Sequence, residues 1–156
     1  MKKRVTLTTM AVSVMFLLGL FMPQQIMAQK EDQSQILKKI ISLPEMQKYY
    51  PMSTDGKAKQ VVIEQHPMSF PKDLALSDAT TKVVLMEMAD VKSGNITSFY
   101  KFRSIETTGN TTKVVCHYFR NYDHQTNKSD IIAITAELSK SGSDWKIVNA
   151  NVKGVN

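Results

Sequence analysis

The sequence predicts an α+β protein, with an N-terminal helix packed on a curved antiparallel β-sheet and the C-terminal four strands running as a meander. Three observations carry this expectation. Ile36, Leu37, Ile40 and Ile41 form one apolar stripe opposite Lys38 and Lys39. From Thr81 onward the chain is almost continuously strand-like in composition. Two turn sites, Gly109-Asn110 and Lys140–Ser143, divide that stretch into hairpins. The chain of 156 residues has single-domain length, with one core and no room for a multidomain enzyme.

In chain order, Ser34 is the expected N-cap of the helix, and Leu43-Pro44 ends or kinks it. Pro44 suits the first turn of a short second helix over Glu45–Tyr50, which Pro51 closes. A polar turn at Ser53–Gly56 leads to a first strand near Gln60–Gln65, and His66–Asp78, with Pro67 and Pro71, reads as an irregular loop. Lys82–Ala89 carries apolar residues at both parities, the pattern of a strand covered on both faces. Thr97–Thr107 and Thr111–Arg120 flank Gly109-Asn110, where Gly in first place suits a type II′ turn. That register sets Glu106 opposite Lys113. It places Tyr100, Phe102, Val115, His117 and Phe119 on one face, and Phe99, Lys101, Arg103, Ile105, Val114, Cys116, Tyr118 and Arg120 on the other. Asp130–Leu138 and Asp144–Val152 form the last hairpin.

Residues 1–28 read as a cleaved signal peptide, and residues 29–156 as a single α+β domain. Lys2, Lys3 and Arg4 precede an apolar run from Met10 to Met22; Pro23 breaks it, and small Ala28 offers a cleavage site. The run is shorter than the roughly 20 residues that span a bilayer. No Cys lies near Ala28, so a lipid anchor of the bacterial lipoprotein type is not expected. The predicted location is periplasmic or secreted. Losing the three basic residues lowers the formal charge from +6 to +3, which argues against a nucleic-acid partner. The sequons at Asn95, Asn110 and Asn127 read as chance occurrences behind a bacterial-type signal.

The order from Phe99 through Thr112–Tyr118 and Ile131–Leu138 to Ser-Gly-Ser-Asp-Trp145-Lys-Ile147 resembles the closing meander of nuclear transport factor 2-like proteins. The resemblance covers about 60 residues of the C-terminal half and implies a cone-type fold. Such domains open with about three helices, whereas this chain offers one helix and a short second segment. One helix wrapped by a sheet is similar to the cystatin-like arrangement. The cystatin inhibitory pattern Gln-x-Val-x-Gly is absent, because Gln60-Val61-Val62-Ile63-Glu64 lacks its Val and Gly where required.

Chemistry-bearing residues are sparse. A single cysteine, Cys116, excludes an internal disulfide, a four-cysteine zinc site and a CxxC pair, and its setting in Val-Val-Cys-His-Tyr-Phe predicts burial. His66, His117 and His124 lack metal-ligand spacing, and no cofactor fingerprint is present. His117 points away from Cys116 on a regular strand, which argues against a dyad. Acid/base candidates are Asp90, His117, Asp123 and His124; the nuclear transport factor 2-like resemblance implies a carboxylate or His inside a cone for proton transfer.

The candidate ligand-binding residues are Phe99, Lys101, Arg103, Tyr118, Arg120, Trp145 and Asn149. The first five form a basic face interleaved with aromatics, fit for an anionic or aromatic ligand. On the last strand Trp145 and Ile147 share one parity while Val148, Ala150 and Val152 take the other. Either a bulge near Val148 switches the face, or Asn149 and Asn151 follow Trp145 into the concave side. The expected function is an exported, non-catalytic module binding a small ligand or an envelope or extracellular protein through its curved sheet, as monomer or homodimer. A small cone-type enzyme of proton transfer or hydration is one alternative. An envelope inhibitor or immunity-type protein presenting Phe70 or Tyr122 at loop tips is the other.

Overall fold

The computed structural model describes residues 29–155; the predicted signal peptide lies outside the described residues. A helix over residues 29–41 (α1) is followed by a 3₁₀ turn at Gln47–Tyr49 and the strands β1 (Lys59–Glu64) and β2 (Thr81–Met86). Next come α2 (Met88–Ser93) and four longer strands: β3 (Phe99–Thr108), β4 (Thr111–Arg120), β5 (Asp130–Ser141) and β6 (Asp144–Val155). All six strands form one sheet in the order β2-β1-β3-β4-β5-β6. The expected stripe of Ile36, Leu37, Ile40 and Ile41 is buried. Ser34 does not cap: it sits within α1, and its hydroxyl donates to the Ala75 carbonyl at 2.8 Å, pinning the long loop to the helix.

Strands β3 to β6 are the expected antiparallel meander, with Glu106 opposite Lys113. The sheet is nonetheless mixed, because β1 runs parallel to both β2 and β3. Parallel neighbours need crossovers. The irregular stretch after β1 supplies one, and α2 supplies the other. The predicted strand Lys82–Ala89 accordingly stops at Met86; Glu87 is extended, and α2 follows until Asn95, at φ 52°, turns the chain back. It is β1, with Val61, Val62 and Ile63 all buried, that is covered on both faces, whereas β2 lies at the sheet edge.

One bulge overturns the predicted division of faces on β3 and β4, and a second decides between the two readings of β6. Near the turn the register follows the two-residue connection, with Gly109 at φ 58°. Between Phe102 and Ser104 the register shifts, leaving Arg103 as the extra residue. Phe99 therefore pairs with Phe119 and Tyr100 with Tyr118, so Tyr100, Phe102, Val114, Cys116 and Tyr118 share the buried face. The second bulge leaves Val148 out of register in β6, the first of the two readings of that strand. Trp145 and Ile147 before it, and Ala150 and Val152 after it, all reach the core; Val148 and Asn149 are exposed. The bulge carries Asn149 away from the concave side.

The main core lies between α1 and one face of the sheet, where Val61 and Ile63 of β1 join β3–β6. Trp145, 1% exposed, packs at one end of it, donating from Nε1 to Asp32 Oδ1 (3.1 Å) and from its backbone N–H to Gln35 Oε1 (3.2 Å). Lys140 Nζ holds both Asp32 oxygens at 2.7 Å. A second, smaller core on the opposite face joins Val62, Val91, Phe99 and Tyr122. On that face Glu64, 1% exposed, has Lys101 Nζ at 2.9 Å as its counter-charge; no donor is well aligned with either carboxylate oxygen.

Cys116 is fully buried, and desolvation pushes its thiol well up from the ordinary range. At pH 8 a thiol-reactive disulfide reagent should leave the folded protein untouched and titrate one thiol in urea. Rapid labelling of the native protein would overturn this.

Candidate functional site

The segment after α1 builds one side of a surface cleft. Pro44 starts a run of i→i−3 hydrogen bonds, Met46 to Leu43, Gln47 to Pro44 and Tyr49 to Met46, so a 3₁₀ turn replaces the expected helix over Glu45–Tyr50. Met46 plugs into the core as an anchor. The free carbonyl of Ile41 at the C-terminus of α1 accepts from Gln47 Nε2 (2.9 Å) and from the Tyr50 hydroxyl (2.8 Å). Lys59 Nζ donates to the Gln47 carbonyl at 2.8 Å.

Beneath the turn lie three buried tyrosines. Tyr50 and Tyr100 hydroxyl oxygens are 2.6 Å apart, and the Tyr118 hydroxyl donates to the Tyr49 carbonyl at 3.3 Å. Tyr50 spends its proton on Ile41, so Tyr100 must be the donor between the two. Desolvation raises the pKa of all three phenols, which keeps these hydrogen-bonding protons in place. The turn is thus held on the sheet by neutral hydrogen bonds that do not titrate near neutrality.

Between this turn and the ends of β4, β5 and β6 lies a cleft of about 370 Å³. Tyr49 forms one wall, with the Arg120 guanidinium carbon 4.4 Å and Lys48 Nζ 4.9 Å from its ring centroid. Ile132 and Val152 supply an apolar wall on the face of Arg120, and Glu45 and Asp130 also line the space. Among the described residues neither Arg120 nor Lys48 makes a salt bridge. Asp130 faces Arg120 across β4–β5, but its carboxylate accepts instead from Asn121 Nδ2 at 2.7 Å.

Of the residues singled out from sequence, the structure brings Arg120 to this cleft, against the Tyr49 ring, and sets Tyr118 beneath it, bonded to the Tyr49 carbonyl. Phe99 and Lys101 belong to the opposite face, Arg103 is exposed at its bulge, Trp145 is buried under α1 and Asn149 is on the edge strand. The predicted sharing of one face by Phe99 and Tyr118 fails because of the β3 bulge. Lys48, Tyr49, Tyr50 and Tyr100 were not on that list; the Tyr49-Tyr50-Pro51 run was their visible signal.

The acid/base candidates remain apart in role. Asp90 is exposed on α2, and desolvation lowers His117, with a further push from Arg103. Asp123 caps its own loop, accepting from the Thr126 hydroxyl at 2.6 Å and from the Gln125 N–H at 2.8 Å. The hydroxyl contact is the main reason its pKa is lowered. His124 packs edge-on against Tyr122, with ring centroids 5.0 Å apart. The loop aromatics Phe70 and Tyr122 are buried, Phe70 edge-on against Phe102 and Tyr122 against Phe99. Among the described residues no group of three His, Cys, Asp or Glu side chains is placed to hold a metal ion. No described helix is long and apolar enough to cross a membrane. No family model, curated protein or solved structure matches the chain.

Proposed function

We propose that this chain is an exported, non-catalytic binding module, periplasmic or secreted, whose ligand occupies the cleft between the 3₁₀ turn and the ends of β4–β6. The observation that carries the reading is Tyr49 flanked by Arg120 and Lys48, two cations without a salt-bridge partner among the described residues, in a cleft with an apolar wall. The basic start, apolar run and Ala28 support export. Helix α1 packed on a sheet that ends in an antiparallel meander supports kinship with cystatin-like or nuclear transport factor 2-like domains.

Native mass spectrometry of the protein purified gently from the cells that make it tests the reading. The expected spectrum shows the chain shortened after Ala28 with a second population carrying a bound molecule, lost in an Arg120→Gln variant. A bound molecule retained by that variant, or none in any preparation, would remove the cleft from the proposal.

A further inference from the structure

The charges and walls of the cleft point to a class of ligand. This deepens the binding reading above and rests on it. Arg120 is the cation with directional power: its guanidinium presents a planar fork of donors that matches a carboxylate. With its carbon 4.4 Å from the Tyr49 ring centroid, and with Asp130 engaged by Asn121, no acceptor among the described residues takes up that fork. Lys48 adds a second positive charge on the same ring.

The remaining lining narrows the choice. Glu45 and Asp130 bring the formal charge of the lining to zero, so each negative charge beyond the one seated on Arg120 adds repulsion, which favours a monoanion over a dianion. Ile132 and Val152, on the same sheet face as Arg120, give an apolar wall that repays desolvation of an aliphatic or aromatic body but not of a polyol. A volume of about 370 Å³ accommodates a molecule of amino-acid to dipeptide size. We propose that the cleft is a binding site for a monocarboxylate carried on an apolar body, with the carboxylate on Arg120 and Lys48 and the body against Ile132 and Val152. The tyrosine scaffold beneath it keeps the site formed before the ligand arrives, which lowers the ordering cost of binding.

The test is a titration of the purified protein, followed by amide resonances, with N-acetyl-leucine and with N-acetyl-leucinamide. The two probes share shape and apolar body, and only the first carries a charge. N-acetyl-leucine should shift the amides of Tyr49, Arg120 and Val152 with saturation in the millimolar range or tighter. The amide probe should bind at least about tenfold more weakly, as loss of charge-assisted hydrogen bonds implies. Arg120→Gln should abolish the difference between the probes, and Arg120→Lys should restore part of it. If Arg120→Gln does not fold, Lys48→Gln at an exposed position should still weaken N-acetyl-leucine severalfold and leave the amide probe unchanged. Equal binding of both probes, shifts confined to other surfaces, or no shift up to about 20 mM would overturn the proposal. A failed titration together with a native spectrum that still shows an Arg120-dependent bound molecule refutes the ligand class alone; failure of both refutes the cleft.

Discussion

Trp145→Ala lowers the unfolding free energy by about 3–5 kcal/mol, the cost of deleting a fully buried large aromatic side chain. Two effects combine. The indole leaves a void between α1 and the β5–β6 hairpin, and Asp32 loses the Nε1–H that ties the helix to the sheet. Lys140 still holds Asp32, so the carboxylate is not stranded. Trp145→Phe separates the two effects: it retains most of the packing and loses the hydrogen bond, and should cost about 1–2 kcal/mol. Urea unfolding followed by circular dichroism reads both variants. A loss under about 1 kcal/mol for the alanine variant would mean that α1 is not held where the structure places it.

Lys101→Ala carries a comparable cost by another route. Glu64 is almost fully enclosed, and Lys101 is its counter-charge at 2.9 Å. Removing one partner of a buried pair leaves a charge without compensation, at a cost of about 3 kcal/mol. Replacing both members by apolar residues of similar size, Glu64→Leu with Lys101→Met, should recover most of that loss or exceed the starting stability. This reversal is the informative outcome. If the double variant is as unstable as the single one, the pair contributes more than charge compensation, and the absence of well-aligned donors around Glu64 becomes misleading.

The parts of this fold that were legible in advance are those fixed by local chemistry. Gly109, in a left-handed conformation, sets the two-residue turn, and Glu106 meets Lys113 a few residues away, before any bulge intervenes. Alternation along β4 separates Cys116 from His117 as a regular strand must. The β6 bulge left a trace, since apolar residues at clashing parities on either side of Val148 make a change of face one of the two readings of that strand. The β3 bulge left none: Arg103 is as acceptable in a regular strand as in a bulge, and the error there moved Phe99 and Lys101 to the wrong face. The parallel placement of β1 was hidden because one crossover is an irregular loop and the other includes a helix of six residues, too short to establish a helical period. The cleft joins Lys48 to Arg120 across most of the domain, and only tertiary packing reveals that both lie against one tyrosine ring.

The smaller core behind β1 has a consequence for how the molecule comes apart. The main cluster is centred on α1 and β3–β6, whereas β2 lies at the sheet edge with only Val83 and Leu85 partly buried against that cluster. Helix α2 rests on a nucleus of four buried residues, and β1 meets β3 over only two register pairs. The domain should therefore have two tiers of protection: amide hydrogens of β2 and α2 exchange through a cheap partial opening, and those of β4 and β5 exchange only with global unfolding. Tyr118 and Arg120 belong to the slow tier, so the cleft stays formed while the far edge of the sheet breathes. That partial opening would bring Glu64 and Lys101 into water together, and proteolytic nicking of the folded chain should begin on their side of the sheet.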